Sequence, residues 1–185
     1  MYRIMLVDDE ENILKALRRL LTSTPCVYDG LEYKIKVDIF TSPAEALEHA
    51  RHAPVDLVLS DYRMPGMDGV AFLKAFKEIQ PNAARLILSG YADLNALIGA
   101  INEAQIYRFL NKPWNDYELV SSVAQALAYR NLMLENQHLA DQARVERGAM
   151  TPQELERRRL EEQEPGLTQV NWGPDGSVIL DDGEA

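Results

Sequence analysis

Thiol chemistry is almost missing from this chain. Cys26 is the only cysteine in 185 residues, which excludes an internal disulfide framework and any zinc site needing several thiolates. No apolar run approaches the ~20 residues of a membrane span. The N-terminus has neither the basic n-region nor the apolar h-region of a secretory signal, so a soluble cytoplasmic protein with no membrane contact is expected. Basic stripes are lacking too. Net charge is −10, and residues 148–185, with nine acids and three arginines, supply −6 of it. Such a balance speaks against direct nucleic-acid binding.

What remains is an ordinary globular apolar content, ample for one core. The length allows one domain plus an appendage. Apolar runs suited to strands alternate with segments of helical period. RIMLV (3–7) reads as a strand, and NILKALRRLL (12–21) as a helix with Ile13, Leu14, Leu17, Leu20 and Leu21 on one face. Residues 22–33 read as a loop with Pro25 and Asp29-Gly30 as turn signals. KIKVDIF (34–40) alternates as a strand, and Ser42-Pro43 opens a helix over 43–52 with Ser42 as N-cap. VDLVLS (55–60) has the continuous β-rich character of a strand covered on both faces.

The alternation continues with a helix over 68–80, a strand at 84–89, a helix over 93–104 and a strand at 106–110. A last helix begins near Asn115 and meets no stop before Gly148. Five βα units argue an α/β fold, a parallel sheet with helices on both faces. The expected divisions are a domain at 1–128, an extension of its last helix at 129–147 and an acidic tail at 148–185. In the tail, Thr151-Pro152-Gln153-Glu154 fits a capping box opening a charged helix over 152–162. LTQVNW and SVIL flank a Gly-Pro-Asp-Gly turn, which suggests a hairpin over 167–180.

Four consecutive acids, Asp8, Asp9, Glu10 and Glu11, follow the first strand. Acids are favoured in the first turn of a helix, so capping is one reading. Cation binding with partners from other strands is the other. In open α/β sheets, ligands sit outside the carboxyl ends of strands. At those ends stand Asp8-Asp9, then Asp61, Ser89-Gly90 and Lys112-Pro113. Three carboxylates, a hydroxyl and an ammonium on one edge exceed what capping alone needs.

With VDD at 7–9, LSDYRMPGMDG at 59–69, LSGYAD at 88–93 and FLNKPW at 109–114, the chain resembles the receiver domain of two-component response regulators over residues 1–130. The resemblance implies a flavodoxin-like, five-stranded doubly wound sheet of order 2-1-3-4-5. It casts Asp61 as phospho-acceptor. Asp8, Asp9, Asp61 and the Arg63 carbonyl become the Mg²⁺ site, with Asp8 acting mainly through water. Ser89, Gly90 and Lys112 bind the phosphoryl group, Ser89 and Phe109 form the switch, and Lys112-Pro113 is a cis bond. It implies a histidine kinase or phosphotransfer protein as donor. Its output is a changed surface on the fourth helix, fifth strand and last helix, read by a downstream protein.

The implied activity is signalling, with no enzymatic output beyond the chain's own phosphorylation and dephosphorylation. Alternatives are a non-switching receiver acting as a scaffold through its last helix and tail, and a phosphate-ester hydrolase using the acidic cluster. The intact site argues against the first, and the lack of a separate general base against the second. Leu127, Met133, Leu134 and Leu139 give the last helix apolar surface, so a homodimer through it is expected as an option beside a solvated helix. Glu45-Ala46-Leu47 matches the signature tripeptide of a cyclic-dinucleotide phosphodiesterase by chance. FLNKPWND is similar to receivers fused to a His-Asp phosphodiesterase, but His49, His52 and His138 form no such pair. Asp68 suits a turn better than a fourth ligand, and Leu94, Leu97, Ile98 and Ile101 suit a core. The long 22–33 segment and the long Arg63 side chain beside the pocket depart from a minimal receiver.

Overall fold

The computed structural model describes residues 1–90 and 104–163. Its elements run β1 (Tyr2–Val7), α1 (Glu11–Ser23), β2 (Val27–Tyr28), β3 (Leu31–Glu32), β4 (Ile35–Phe40), α2 (Pro43–His52), β5 (Leu57–Asp61), α3 (Gly69–Ile79), β6 (Ala84–Ser89), β7 (Arg108–Asn111), α4 (Asp116–Glu146) and α5 (Pro152–Gln163). The main sheet has the order β4-β1-β5-β6-β7. All four pairings are parallel. Counting only strands of this sheet, that is 2-1-3-4-5, the doubly wound order expected.

Strand composition explains the layering. β5 and β6 are buried at every position, which requires cover on both faces. On one face, Leu14, Leu17 and Leu21 of α1 join Leu119, Val123 and Leu127 of α4 over Ile4, Leu6, Leu59 and Leu86. On the other, Ala46 and Ala50 of α2 and Phe72 and Phe76 of α3 pack on Met5, Val7, Val58 and Ile87. Helix starts follow their local chemistry. Ser42, Asp68 and Asn115 each accept an N–H from the first turn of their helices. Asp68 is thus an N-cap, in line with a turn role.

The segment 22–33 differs from expectation. It is not a plain loop: β2 and β3 pair antiparallel as a hairpin. Asp29 and Gly30, at φ 50° and 75°, form its turn. Positive φ at both central residues is the type I′ geometry that matches strand twist, and Asp-Gly suits it. The short ribbon is anchored from its base: Cys26 and Tyr33 enter the core that holds Val120 and Leu127. The strand expected at 106–110 is displaced to Arg108–Asn111, after a positive-φ Gln105.

α4 has 31 residues, about 46 Å. It ends where Gly148, at φ 71°, lets the chain reverse. The Gly148 N–H reaches the Val145 carbonyl and the Ala149 N–H the Arg144 carbonyl, a Schellman motif. α5 then opens with a reciprocal capping box: Glu154 N–H donates to Thr151 Oγ1 at 3.2 Å, and Thr151 N–H to Glu154 Oε2 at 2.7 Å. Among the described residues no helix is long and apolar enough to cross a membrane. Except for Ala104, the expected helix over 93–104, with Leu94, Leu97, Ile98 and Ile101, lies outside the described residues. So does the hairpin expected over 167–180.

Candidate functional site

Parallel register assembles the site. Val7 stands opposite Ser60, Asp61 opposite Leu88, and Ser89 opposite Asn111. The next residue of each strand or loop therefore emerges at the carboxyl edge, and Asp8, Asp61, Ser89 and Lys112 meet there. The four opening acids divide their work. Glu10 and Glu11 stand at the N-terminus of α1, where no side-chain cap bond forms. Asp8 turns inward, its side chain 2% exposed, and its Oδ1 accepts the Glu10 N–H at 2.9 Å. Asp9 stays exposed at the rim.

The centre is a carboxylate–ammonium–carboxylate bridge. Lys112 Nζ lies 2.7 Å from Asp8 Oδ2 and 2.5 Å from Asp61 Oδ1. Asp61 Oδ2 accepts the Arg63 N–H at 2.7 Å. Burial pushes the Asp61 carboxyl above its ordinary pKa; Lys112 opposes this, Asp8 reinforces it and the Arg63 N–H opposes it. For Lys112, burial disfavours the ammonium, but hydrogen bonds and charge from Asp61 and Asp8 outweigh it and raise its pKa. One ammonium thus sits between two buried carboxylates, with Asp9 exposed nearby in sequence.

Backbone bonds hold this geometry. The Lys112 N–H donates to the Ser89 carbonyl at 2.9 Å, joining the ends of β6 and β7. The Ser89 hydroxyl, on a buried residue, donates to the Gly90 carbonyl at 3.1 Å. The Lys112–Pro113 peptide is cis. Below Asp61, α3 approaches so closely that a Cβ on Gly69 would collide with the Asp61 carbonyl oxygen. Gly69 is a positioning residue whose role the motif alone does not reveal, because the close approach is tertiary.

Phe109 is half-buried against the core that holds Ile87, Ala104 and Ile106. Its neighbour Arg108 ties β7 to α4: Nη1 donates to Ser122 Oγ at 3.0 Å and Nη2 to Gln125 Oε1 at 2.9 Å. Sequence reasoning passed over Arg108, since nothing local separates it from a solvated cation. Among the described residues no three acidic, histidine or cysteine side chains cage an ion by themselves. The donor set nonetheless fits a hard divalent cation. Mg²⁺ takes oxygen ligands, needs only one or two carboxylates and keeps several waters.

Comparison with known proteins agrees with this geometry. The family model described as response regulator receiver domain matches residues 4–124. The hydrogenase transcriptional regulatory protein HoxA of Cupriavidus necator is 36% identical over 129 residues, covering 70% of this chain and 25% of that protein. The DNA-binding transcriptional regulator NtrC of Escherichia coli K12 is 33% identical over 126 residues, 68% of this chain and 25% of its own length. The chain thus spans about a quarter of these curated relatives. Among solved structures, the signal receiver domain of an HD domain-containing protein from Pseudomonas fluorescens Pf-5 is 35% identical with a TM-score of 0.64, covering 72% of this chain and 92% of that one. A receiver described as CheY-like, from Methanospirillum hungatei JF-1, shares the fold at TM-score 0.62 and 23% identity. With its doubly wound sheet and the acidic pocket at the carboxyl edge, the chain belongs to the response regulator receiver domain family.

Proposed function

We propose that this chain is a phospho-accepting signalling switch whose acceptor is Asp61. The observation that carries the reading is the Asp8–Lys112–Asp61 bridge at the carboxyl edge of the sheet. In the reaction, an Asp61 carboxylate oxygen attacks the phosphorus of a phosphohistidine on a histidine kinase or phosphotransfer protein. The new O–P bond replaces the P–N bond, and the imidazole leaves and takes up a proton. Phosphoryl transfer asks a protein chiefly for positioning and charge compensation.

Asp8, Asp9, Asp61 and the Arg63 carbonyl would hold Mg²⁺, as receivers generally do. When bound, the ion offsets carboxylate repulsion and charge on the phosphoryl oxygens. Lys112 leaves its bridge to pair with a phosphoryl oxygen, and Ser89 and Gly90 line the same space. Ser89 moving toward the group admits Phe109 inward, and β7 with the adjoining helices carries the change to a downstream protein. The reading makes the chain a cytoplasmic partner of proteins, with no direct DNA contact of its own, and with an acyl phosphate as a timed signal. It places the receiver in residues 1–128, with the acidic tail outside it.

Intact mass after incubation with acetyl phosphate and Mg²⁺ tests this directly. One added phosphoryl group, dependent on Mg²⁺ and missing in Asp61→Asn, is the expected result. No adduct from acetyl phosphate or phosphoramidate on the folded protein would sink it and favour a non-switching scaffold.

A further inference from the structure

The end of the molecule away from the acidic pocket is built on different chemistry. Between the N-terminal edge of the sheet, the distal half of α4 and α5 lies a cavity of about 760 Å³. Arg3 and Asp56 line it from the sheet side, Arg130 and His138 from α4, and Leu155 and Arg159 from α5. A space this size means that α5 covers the base of the receiver without packing into it.

α5 brings little apolar surface to that position. Leu155 is only half-buried and Leu160 is 38% exposed. Its described side-chain attachment is electrostatic. Asp141 on α4 has a side chain 3% exposed, unusual for an acid so far along a protruding helix. Its carboxylate accepts from Arg144 Nη1, one turn on, at 2.7 Å. It also accepts from Arg158 Nη1 of α5, at 3.2 and 3.1 Å to its two oxygens. Both arginine side chains are about half exposed, at 55% and 52%. Water can therefore take over their bonds when the helices part. The chain between the helices passes through Gly148, whose positive φ supplies a tight reversal.

The geometry points to α5 as a releasable flap. It closes over the cavity through the ion pair of Asp141 with Arg158, and swings away about the Gly148 turn without unfolding the receiver. Release rehydrates Asp141 and Arg158 together, so neither charge is stranded. It also uncovers the cavity and the distal surface of α4 that α5 lies against. Because the node is ionic and its arginines reach solvent, salt weakens it, whereas the receiver's apolar core is indifferent to moderate salt.

Hydrogen exchange on the full chain, read segment by segment, tests the flap. In the native protein at low salt, amides of 155–163 exchange more slowly than an unstructured segment. Asp141→Asn and Arg158→Gln each speed them by about tenfold or more, with β1, β5 and β6 unchanged, because the opening is local. The double variant is no faster than the faster single one. Raising NaCl on the unmodified protein produces the same selective acceleration, which keeps the test intact if a variant folds poorly. Three results would overturn the idea: 155–163 exchanging at the unstructured rate in the native protein, 155–163 indifferent to both substitutions and salt, or sheet amides accelerating in step with α5.

Discussion

At the scale of single residues, Lys112 holds the site together. Its ammonium lies between two carboxylates that are each almost wholly buried. Removing one member of a buried ionic cluster leaves uncompensated charge, which costs about 3–5 kcal/mol. Lys112→Met should therefore lower the unfolding free energy by about 3 kcal/mol in urea titrations near neutral pH. The gap should narrow as pH falls, because Asp61, already pushed up by burial, takes up a proton before an ordinary carboxylate would and relieves the repulsion with Asp8. A gap independent of pH would contradict the bridge.

Cys26 gives a second residue-scale test, on the alkaline side. Burial pushes its thiol from 9.0 up to about 11. A folded pKa above the unfolded one means that the group's stabilisation is fully present below the unfolded value. It is lost as pH rises through the folded value. The urea midpoint should therefore fall between about pH 9 and about pH 11, and less steeply in Cys26→Ala than in the native protein. Equal slopes would assign the loss to Tyr33, whose hydroxyl is also raised, by burial first and then by the neighbouring Tyr2.

At the scale of elements, two glycines do unlike things. Gly30 sits at positive φ with open space where a Cβ would go, so its value is purely conformational and it closes the β2–β3 turn. Gly69 has an ordinary backbone, but a Cβ there would meet the Asp61 carbonyl. Gly69→Ala must move α3 away from the end of β5. Overpacking of this kind costs about 1–3 kcal/mol, and phosphoryl uptake should slow because Asp61 rides on the displaced backbone. Normal uptake with unchanged stability would show that α3 yields freely. The hairpin itself was only partly legible: Asp29-Gly30 announced a turn, yet two-residue strands are too short for periodicity to register. They persist because Cys26 and Tyr33 are drawn into the core.

At the scale of the whole molecule, the receiver and the C-terminal extension are held by different forces. Among the described residues, none beyond Ala128 belongs to either apolar cluster or packs against one. A chain shortened after Arg147 should therefore keep its sheet. Its thermal midpoint should stay within about 4 °C of the full chain, since that interval corresponds to about 1 kcal/mol in a domain this size. A larger fall would mean that α5 belongs to the cooperative core. The opposite ends of α4 also belong to different parts: its first half completes the core, and its second half carries the Asp141 node.

The succession of main-sheet strands and their described helices, the Ser42 cap, the capping box of α5 and the place where α4 stops were readable from the chain. Each depends on residues a few positions apart: hydrophobic period, Ser42-Pro43, Thr151-Pro152-Gln153-Glu154, and Gly148. The cluster of Asp8, Asp61, Ser89 and Lys112 was readable as a set, because a parallel sheet sends every strand's carboxyl end to the same edge. Tertiary structure alone decided that Lys112 joins Asp8 as well as Asp61, that α3 presses on the Asp61 backbone, that Arg108 binds α4, and that Asp141 is buried. These depend on how far apart segments approach after folding. Local period and turn chemistry specify direction and length, but the ångström-scale distances that set charge pairing and close contact arise only when the layers pack.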